Sequence, residues 1–146
     1  MAIIDESIEI KRPVNEVFAY TTEAGSWPKW QSFIPEAEQT SSGPVDVGTT
    51  FKGISHMMGR NMKWTAVTTR HEPNKNWAKN ITSGNLAIEE RITCTPVEGG
   101  TNLTIVYNTK AGGFLRLLSI LLARSMRRET KKSLGNLKRL LETHTP

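Results

Sequence analysis

Cysteine is nearly absent from this chain of 146 residues, in which Cys94 stands alone. A single thiol cannot close a disulfide within the chain, and cysteine-rich zinc sites are excluded with it. The three histidines do not have the spacing of neighbouring metal ligands, so we predict no metal site, and no other cofactor either. Because disulfides are rare in reducing compartments, this composition fits a cytoplasmic protein.

Long hydrophobic runs are also missing. The longest strongly apolar stretch covers residues 117–123, far fewer than the roughly 20 that a membrane-spanning helix needs. Residues 1–10 hold three acidic side chains and no apolar run behind a basic flank, which does not fit a secretory signal. We expect one soluble domain, residues 1–146, which is long enough to bury roughly 70% of the surface of the unfolded chain.

Local signatures of catalysis are missing as well. The chain has no nucleophile motif, no phosphate-binding loop and no glycine pattern of a dinucleotide site. Any catalytic group must therefore be assembled by the fold from distant positions. On this ground the sequence favours a binding protein over an enzyme and leaves the question open.

The excess of positive charge is confined to the C-terminal part of the chain. Residues 1–110 hold 11 basic and 12 acidic side chains, whereas residues 111–146 hold 8 basic and 2 acidic ones, so the net +5 arises in the last segment. Such a segment fits a solvated helix face, an anionic membrane surface or a homodimer contact. Nucleic acid is disfavoured because no aromatic platform accompanies the charges.

Hydrophobic periodicity predicts an α+β arrangement. Ile4, Ile8 and Ile10 share one face of an N-terminal strand, and the alternation is clear again in the strands that hold Ile92 and Ile105. Short connections between consecutive strands favour antiparallel pairing. Helices are predicted at 13–22, 26–30 and 114–143, and strands after the first near 34–41, 49–58, 61–70, 76–83, 86–95 and 101–110.

This order of elements resembles the helix-grip fold, in which a seven-stranded antiparallel sheet wraps around a long C-terminal helix and two short helices follow the first strand. The resemblance narrows with the motifs IEI at 8–10, PVNEVF at 13–18, WPKW at 27–30, GTTF at 48–51, HEPN at 71–74 and GGTNLT at 99–104. Together they are similar to the START-like or SRPBCC superfamily, and within it to the polyketide cyclase/dehydrase and lipid-transport family.

The resemblance implies an internal, largely apolar cavity between the sheet and the C-terminal helix. Such a cavity takes up a lipid, a polyketide or a similar small hydrophobic molecule. The fold hosts binders, carriers, cyclases and hydrolases, so it does not imply one chemistry. Binding or transport of a hydrophobic ligand is the main hypothesis, and a cyclase-, dehydrase- or hydrolase-type enzyme or a membrane or partner interaction module are the alternatives.

Candidate cavity residues are large or flexible side chains on inward-facing strand positions or on the buried face of the last helix. Aromatic and methionine side chains suit a pocket that adapts to an apolar ligand, although plain core packing fits them equally well. The ligand is expected to enter beside residues 112–122, with Gly112 and Gly113 as a hinge. The candidates are Trp30, Phe51, Met57, Met62, Trp64, Glu90, Tyr107, Leu118, Leu122 and Met126.

Glu90 is the unusual member because it shares the inward face of its strand with Ile88 and Ile92. An unpaired carboxylate is costly there. A β-bulge that turns it outward, a basic partner on a neighbouring strand, or a ligand-facing position would each resolve the conflict. In the last case Glu90 with Tyr107 or His56 is the candidate for acid–base catalysis.

Overall fold

The computed structural model of the chain describes residues 2–57, 59–84, 86–109 and 113–143, and within these ranges the side chains of all residues except 2, 3, 57, 109 and 113–122. The elements, in chain order, are β1 (Ala2–Ile10), α1 (Val14–Thr22), a 3₁₀ turn (Ala24–Ser26), α2 (Trp27–Trp30), β2 (Glu36–Gln39), β3 (Thr50–Met57), β4 (Arg60–Glu72), β5 (Asn76–Ser83), β6 (Leu86–Val97), β7 (Gly100–Thr109) and α3 (Gly113–Thr143).

The seven strands form one antiparallel sheet in the order β1-β7-β6-β5-β4-β3-β2. Strands β2 to β7 follow each other as a meander, and β1 closes the far side by pairing with β7. The predicted α+β helix-grip fold is confirmed, with its two short helices after the first strand and one long helix at the C-terminal end.

The second strand is shorter than the predicted range 34–41. Pro35 has no N–H for the ladder, and the amide of Ile34 donates to the carbonyl of Gln31 in a turn. Pairing with β3 therefore begins at Glu36. Phe33 and Ile34 consequently lie outside β2 and bury their side chains in the core, and the carbonyl of Phe33 accepts a hydrogen bond from the amide of His56 in β3.

The core lies between the concave face of the sheet and the helices. Trp27 of α2 packs on Phe51 and Trp77, with ring centroids 5.0 and 5.6 Å apart. Leu134 and Leu137 of α3 are almost fully buried, and α3 packs against β1 and α2. The helices therefore form one side of the core, and the concave face of the sheet forms the other.

The end of α3 is tied to the end of β1. The amide of Lys11 donates to the carboxylate of Glu142, and the side chain of Arg12 donates to the carbonyl of Leu141. Lys138 donates both to Glu142 and to the carbonyl of Glu9. The Lys138 and Lys11 hydrogen bonds hold the pKa of Glu142 below its usual range. These contacts fix the C-terminal half of the helix on the sheet.

Gly135 is an exposed position inside α3, where an added Cβ would meet nothing within 4 Å. Glycine in a helix interior costs about 1 kcal/mol relative to alanine. We expect Gly135→Ala to raise the free energy of unfolding by about 1 kcal/mol in urea titrations. A loss of stability would contradict this and indicate that the helix needs a bend at this residue.

The basic cluster of α3 is solvent-exposed and comprises Arg124, Arg127, Arg128, Lys131 and Lys132. The one ion pair recorded for it among the described residues joins Arg127 to Glu6 at 4.0 Å. Within the residues that the structure describes, no helix combines the length and apolarity needed to cross a membrane. The predicted contact of this cluster with an anionic membrane or a second copy of the chain stays a prediction.

Candidate functional site

A cavity of about 80 Å³ lies between the concave face of the sheet and α3. One water molecule needs roughly 10–15 Å³ of such space, so the cavity has room for a short alkyl chain. Its walls come from β3 to β7, from α3 and from the segment after α2. Among the described residues they are Phe33, Ile34, Ser55, Met62, Trp64, Lys79, Ile81, Ser83, Leu86, Ile88, Glu90, Tyr107 and Met126.

Five of the candidates chosen from sequence contribute to these walls: Met62, Trp64, Glu90, Tyr107 and Met126. Trp30 and Phe51 are fully buried in the core but do not line the space. The side chains of Met57, Leu118 and Leu122 lie outside the described residues. So does most of the predicted entrance, since residues 110–112 and the side chains of 113–122 are not described.

His56 lies apart from the other two acid–base candidates. It is exposed on β3, and its Nδ1 hydrogen-bonds the side chain of Asn61, the residue opposite on β4. The preceding residue, Ser55, lines the cavity, so His56 points to the outer face of the sheet. The structure therefore brings Glu90 together with Tyr107 and not with His56.

A row of polar side chains crosses the concave face at the level of Glu90. Lys79 on β5 is directly opposite Glu90 on β6, and Glu90 is directly opposite Tyr107 on β7. The Nζ atom of Lys79 lies 3.1 Å from Oε1 of Glu90. Both charged side chains are about 4% exposed or less, so the ion pair is secluded from bulk water. Of the three expectations for Glu90, the outward bulge is wrong, whereas the basic partner on the neighbouring strand and the position in the cavity wall are both observed.

Aromatic rings surround the ammonium group of Lys79. Its Nζ lies 3.6 Å from the ring centroid of Trp27 and 4.6 Å from that of Trp77. The rings of Phe51 and Trp64 are both 5.8 Å away. Ring faces attract cations, and this attraction strengthens when water is excluded. The cage therefore offsets part of the hydration that Lys79 loses on burial.

Burial shifts the ionisation of this row. Desolvation lowers the pKa of Lys79 against the opposing attraction of Glu90. Desolvation, assisted by the charge of Glu90 and its hydrogen bonding, raises the pKa of Tyr107 well above its usual value. At neutral pH Tyr107 is therefore a phenol that keeps its proton, and the amine of Lys79 gives up its proton more readily than an exposed lysine.

Two polar atoms of the cavity wall have unused hydrogen-bonding capacity. Within the part of the chain that the structure describes, neither Oε1 of Glu90 nor Nε1 of Trp64 has a hydrogen-bond partner. Lys79 is the ion-pair partner of that oxygen at 3.1 Å, and a carboxylate oxygen so paired can still accept a further hydrogen bond. An indole donor and a carboxylate acceptor thus border a space that is otherwise apolar. Unsatisfied buried polar atoms of this kind call for a partner.

The position of the Trp64 side chain depends on a glycine on the neighbouring strand. Gly53 is directly opposite Trp64, and a Cβ on Gly53 would collide with the indole ring and with the carbonyl of Glu36. The missing side chain lets the indole lie flat across β3. This close approach positions the indole in the cavity wall.

Cys94 is buried but does not line the cavity. Burial raises the pKa of the Cys94 thiol to about 12, so it is not a nucleophile at neutral pH. The described ranges contain no group of three potential metal ligands. The candidate site is the cavity with its polar row.

Lys79 is the functional residue that sequence reasoning missed. It alternates with Trp77 and Ile81 on β5, so it shares the inward face of these apolar residues. That alternation is the same signal that revealed Glu90. A lysine on the inward face of β5, two residues from Trp77, is the basic side chain expected to pair with the buried carboxylate of Glu90.

Solved structures with the same fold extend over nearly the whole chain. Ms6760 from Mycobacterium smegmatis superimposes with a TM-score of 0.76 at 13% identity, covering 97% of this chain and 91% of that one. TTHA0849 from Thermus thermophilus gives 0.75 at 16% identity, with 97% and 99% covered. At these identities the likeness establishes the fold alone.

DynU16, a protein of the dynemicin biosynthetic locus, gives a TM-score of 0.70 at 17% identity. The alignment covers 98% of this chain but 48% of DynU16, so this chain spans about half the length of that protein. No curated protein sequence is a significant match. The family model described as polyketide cyclase/dehydrase and lipid transport matches residues 1–142. The chain therefore belongs to the polyketide cyclase/dehydrase and lipid-transport family.

Proposed function

We propose that this protein binds a small, uncharged hydrophobic molecule with one polar end in the cavity between the sheet and α3. The family supports a ligand-binding or cyclase-type role. The observation that carries the proposal is the combination of an apolar space with two unsatisfied polar atoms, on Trp64 and Glu90. Ligand sites typically pair apolar walls with a few such groups.

The polar groups define which end group suits the cavity. The indole N–H of Trp64 can only donate, and the carboxylate of Glu90 can only accept. A ligand hydroxyl group can accept from Trp64 and donate to Glu90, whereas a carbonyl oxygen can only accept from Trp64. A carboxylate on the ligand would lose its hydration and meet the negative charge of Glu90, whose own cation is already paired. A neutral end group is therefore favoured.

The size of the cavity favours short ligands. Its volume of about 80 Å³ is well below the roughly 300–1,000 Å³ of pockets for drug-sized molecules. The apolar wall from Ile88 and Ile81 to Met126 suits a linear alkyl or small ring system. Methionines at Met62 and Met126 adapt to ligands of different shape because their side chains are unbranched and flexible.

Titration calorimetry with straight-chain alcohols of increasing length and the matched carboxylates tests the proposal. We expect saturable binding of alcohols and about tenfold or weaker binding of the carboxylate of equal length, a difference of about 1.4 kcal/mol. Chain length should give an optimum, because a volume of about 80 Å³ limits the length of the alkyl chain that fits. Absence of binding by every alcohol would refute the proposed function, and equal binding of the carboxylates would refute the assignment of the polar end.

A cyclase-type reaction on the bound molecule is the second candidate. The observation in its favour is that three titratable side chains, Lys79, Glu90 and Tyr107, adjoin the same cavity. Proton transfer needs donor and acceptor within hydrogen-bonding reach, and Lys79 and Glu90 meet that distance. Turnover of a bound carbonyl compound, detected by mass spectrometry, would separate this candidate from binding alone.

A further inference from the structure

Lys79 differs from the other lysines of the chain in its surroundings. Of the lysines whose side chains the structure describes, it alone is buried, and it lines the cavity. A solvent-exposed lysine is a protonated, hydrated cation that reacts slowly with carbonyl groups. A lysine in an apolar pocket loses that hydration and becomes available as a neutral amine, which is the nucleophile in imine chemistry.

Glu90 is placed to move the protons that such a reaction needs. Its Oε1 lies 3.1 Å from Nζ of Lys79, a distance over which a proton passes directly. Transfer from the ammonium to the carboxylate leaves an amine and a carboxylic acid, both uncharged, in a site without bulk water. Burial lowers the pKa of Lys79 and so favours the neutral form of the lysine, against the attraction of Glu90.

Tyr107 completes the set on the far side of Glu90. It is directly opposite Glu90 in the β6–β7 register, and its phenol keeps its proton at neutral pH. Its hydroxyl is hydrogen-bonded to Glu90, which helps to hold that carboxyl group in place. The site thus combines an amine, a carboxyl group for proton transfer and a phenol bonded to that carboxyl group.

We propose that Lys79 forms a reversible imine with a small apolar aldehyde or ketone bound in the cavity, with Glu90 as the proton carrier. This inference rests on the proposed function, because the carbonyl compound must occupy the same space. It adds a covalent step and names carbonyl compounds as the ligand class.

The step balances without any oxidant or reductant. Lys79 first passes a proton to Glu90, and the nitrogen lone pair then attacks the carbonyl carbon, forming the C–N bond. The carbonyl oxygen takes the proton from Glu90 and becomes a hydroxyl group. The attached nitrogen returns one of its protons to Glu90, which delivers it to the hydroxyl as the C–O bond breaks. Water leaves, and the protonated imine pairs with the Glu90 carboxylate.

Trapping with butanal and cyanoborohydride on the native protein at neutral pH tests the proposal. The reagent reduces the imine to a stable alkylated lysine, which peptide mapping by mass spectrometry locates. We expect Lys79 to be alkylated about tenfold or more faster than the exposed Lys52 and Lys63, because binding concentrates the aldehyde beside it. Butan-1-ol should compete for the cavity and slow the reaction at Lys79 alone.

Glu90→Gln provides the test of proton transfer. The amide has the size of the carboxyl group but cannot carry the proton, so we expect the rate at Lys79 to fall about 100-fold while Lys52 is unaffected. Because the wild-type comparison of Lys79 with Lys52 needs no variant, a folding defect in Glu90→Gln does not remove the test.

The outcomes separate the imine from the proposed function. Alkylation of Lys79 at or below the rate of Lys52 and Lys63, with butan-1-ol binding in calorimetry, would overturn the imine and leave the proposed function standing. Failure of both would overturn both. Fast alkylation that butan-1-ol does not slow would place the reaction outside the cavity and also overturn the proposal.

Discussion

The Lys79→Met variant is expected to lose about 3–5 kcal/mol of its free energy of unfolding at pH 7. Methionine keeps most of the packing of the lysine stem but removes the cation. Glu90 then remains as a charge about 97% buried, with no counter-charge 3.1 Å away. Removing one partner of a buried ion pair is costly because the other charge stays desolvated. Urea titration followed by far-UV circular dichroism measures the loss.

Two variants control this experiment. Lys52→Met removes a lysine whose ion pair with Glu38, at 3.1 Å, is about 60% exposed on both sides, and it should cost less than about 1 kcal/mol. The double variant Lys79→Met/Glu90→Leu replaces both charges with apolar groups and should recover most of the lost stability. A loss in Lys79→Met as small as that in Lys52→Met, or no recovery in the double variant, would contradict the pairing.

The Ile88→Trp variant is expected to bind alcohols at least about tenfold more weakly than the unmodified protein. Ile88 lines the cavity from β6, so a larger side chain there occupies the space of the ligand. If the space is hollow, the indole enters it at little cost in stability. Calorimetry with the best-binding alcohol measures the affinity, and a urea titration measures the stability.

Ala87→Trp is the matched control. Ala87 precedes Ile88 on the same strand but is exposed on the opposite face, so the same indole should leave ligand affinity unchanged. A filled core would respond differently, because overpacking typically costs about 1–3 kcal/mol. Destabilisation of Ile88→Trp by that amount without any effect on binding would indicate a packed core in place of a cavity.

The strand register that aligns Lys79, Glu90 and Tyr107 can be predicted from the sequence. Two-residue turns are recognisable at Gly84-Asn85 and at Glu98-Gly99, and a two-residue hairpin fixes which residues lie opposite one another. Counting back from Ser83 opposite Leu86 places Lys79 opposite Glu90. Counting from Val97 opposite Gly100 places Glu90 opposite Tyr107. Strand parity and turn length together therefore predict that Lys79, Glu90 and Tyr107 lie side by side on the inward face of the sheet.

The cavity itself is not predictable from sequence. Trp30, Phe51 and Trp64 are all inward-facing aromatic residues, yet only Trp64 borders the space. The difference depends on how Gly53 lets one indole lie across its neighbour strand and on how α2 fills the area around Lys79. Packing at that level joins residues far apart in sequence, and no periodic pattern records where a gap is left.

The segment after α2 illustrates a second limit. The predicted strand 34–41 begins at Ile34, with Phe33 at its margin, whereas the structure places both residues in a turn from which they reach the cavity wall. Pro35 is the signal that separates them from β2, and it is visible in the sequence. Their contribution to the site depends on the direction of the turn, which no local pattern determines.

A crystal structure of the protein with 6-bromohexan-1-ol tests the central claim most directly. The anomalous signal of bromine locates the apolar end of the ligand, and the electron density locates its hydroxyl group. We predict one bromine in the cavity beside Ile88 and Met126, with the hydroxyl group within hydrogen-bonding distance of Glu90 or Trp64. Bromine found only on the surface, in crystals whose cavity density is empty or filled by side chains, would contradict the account.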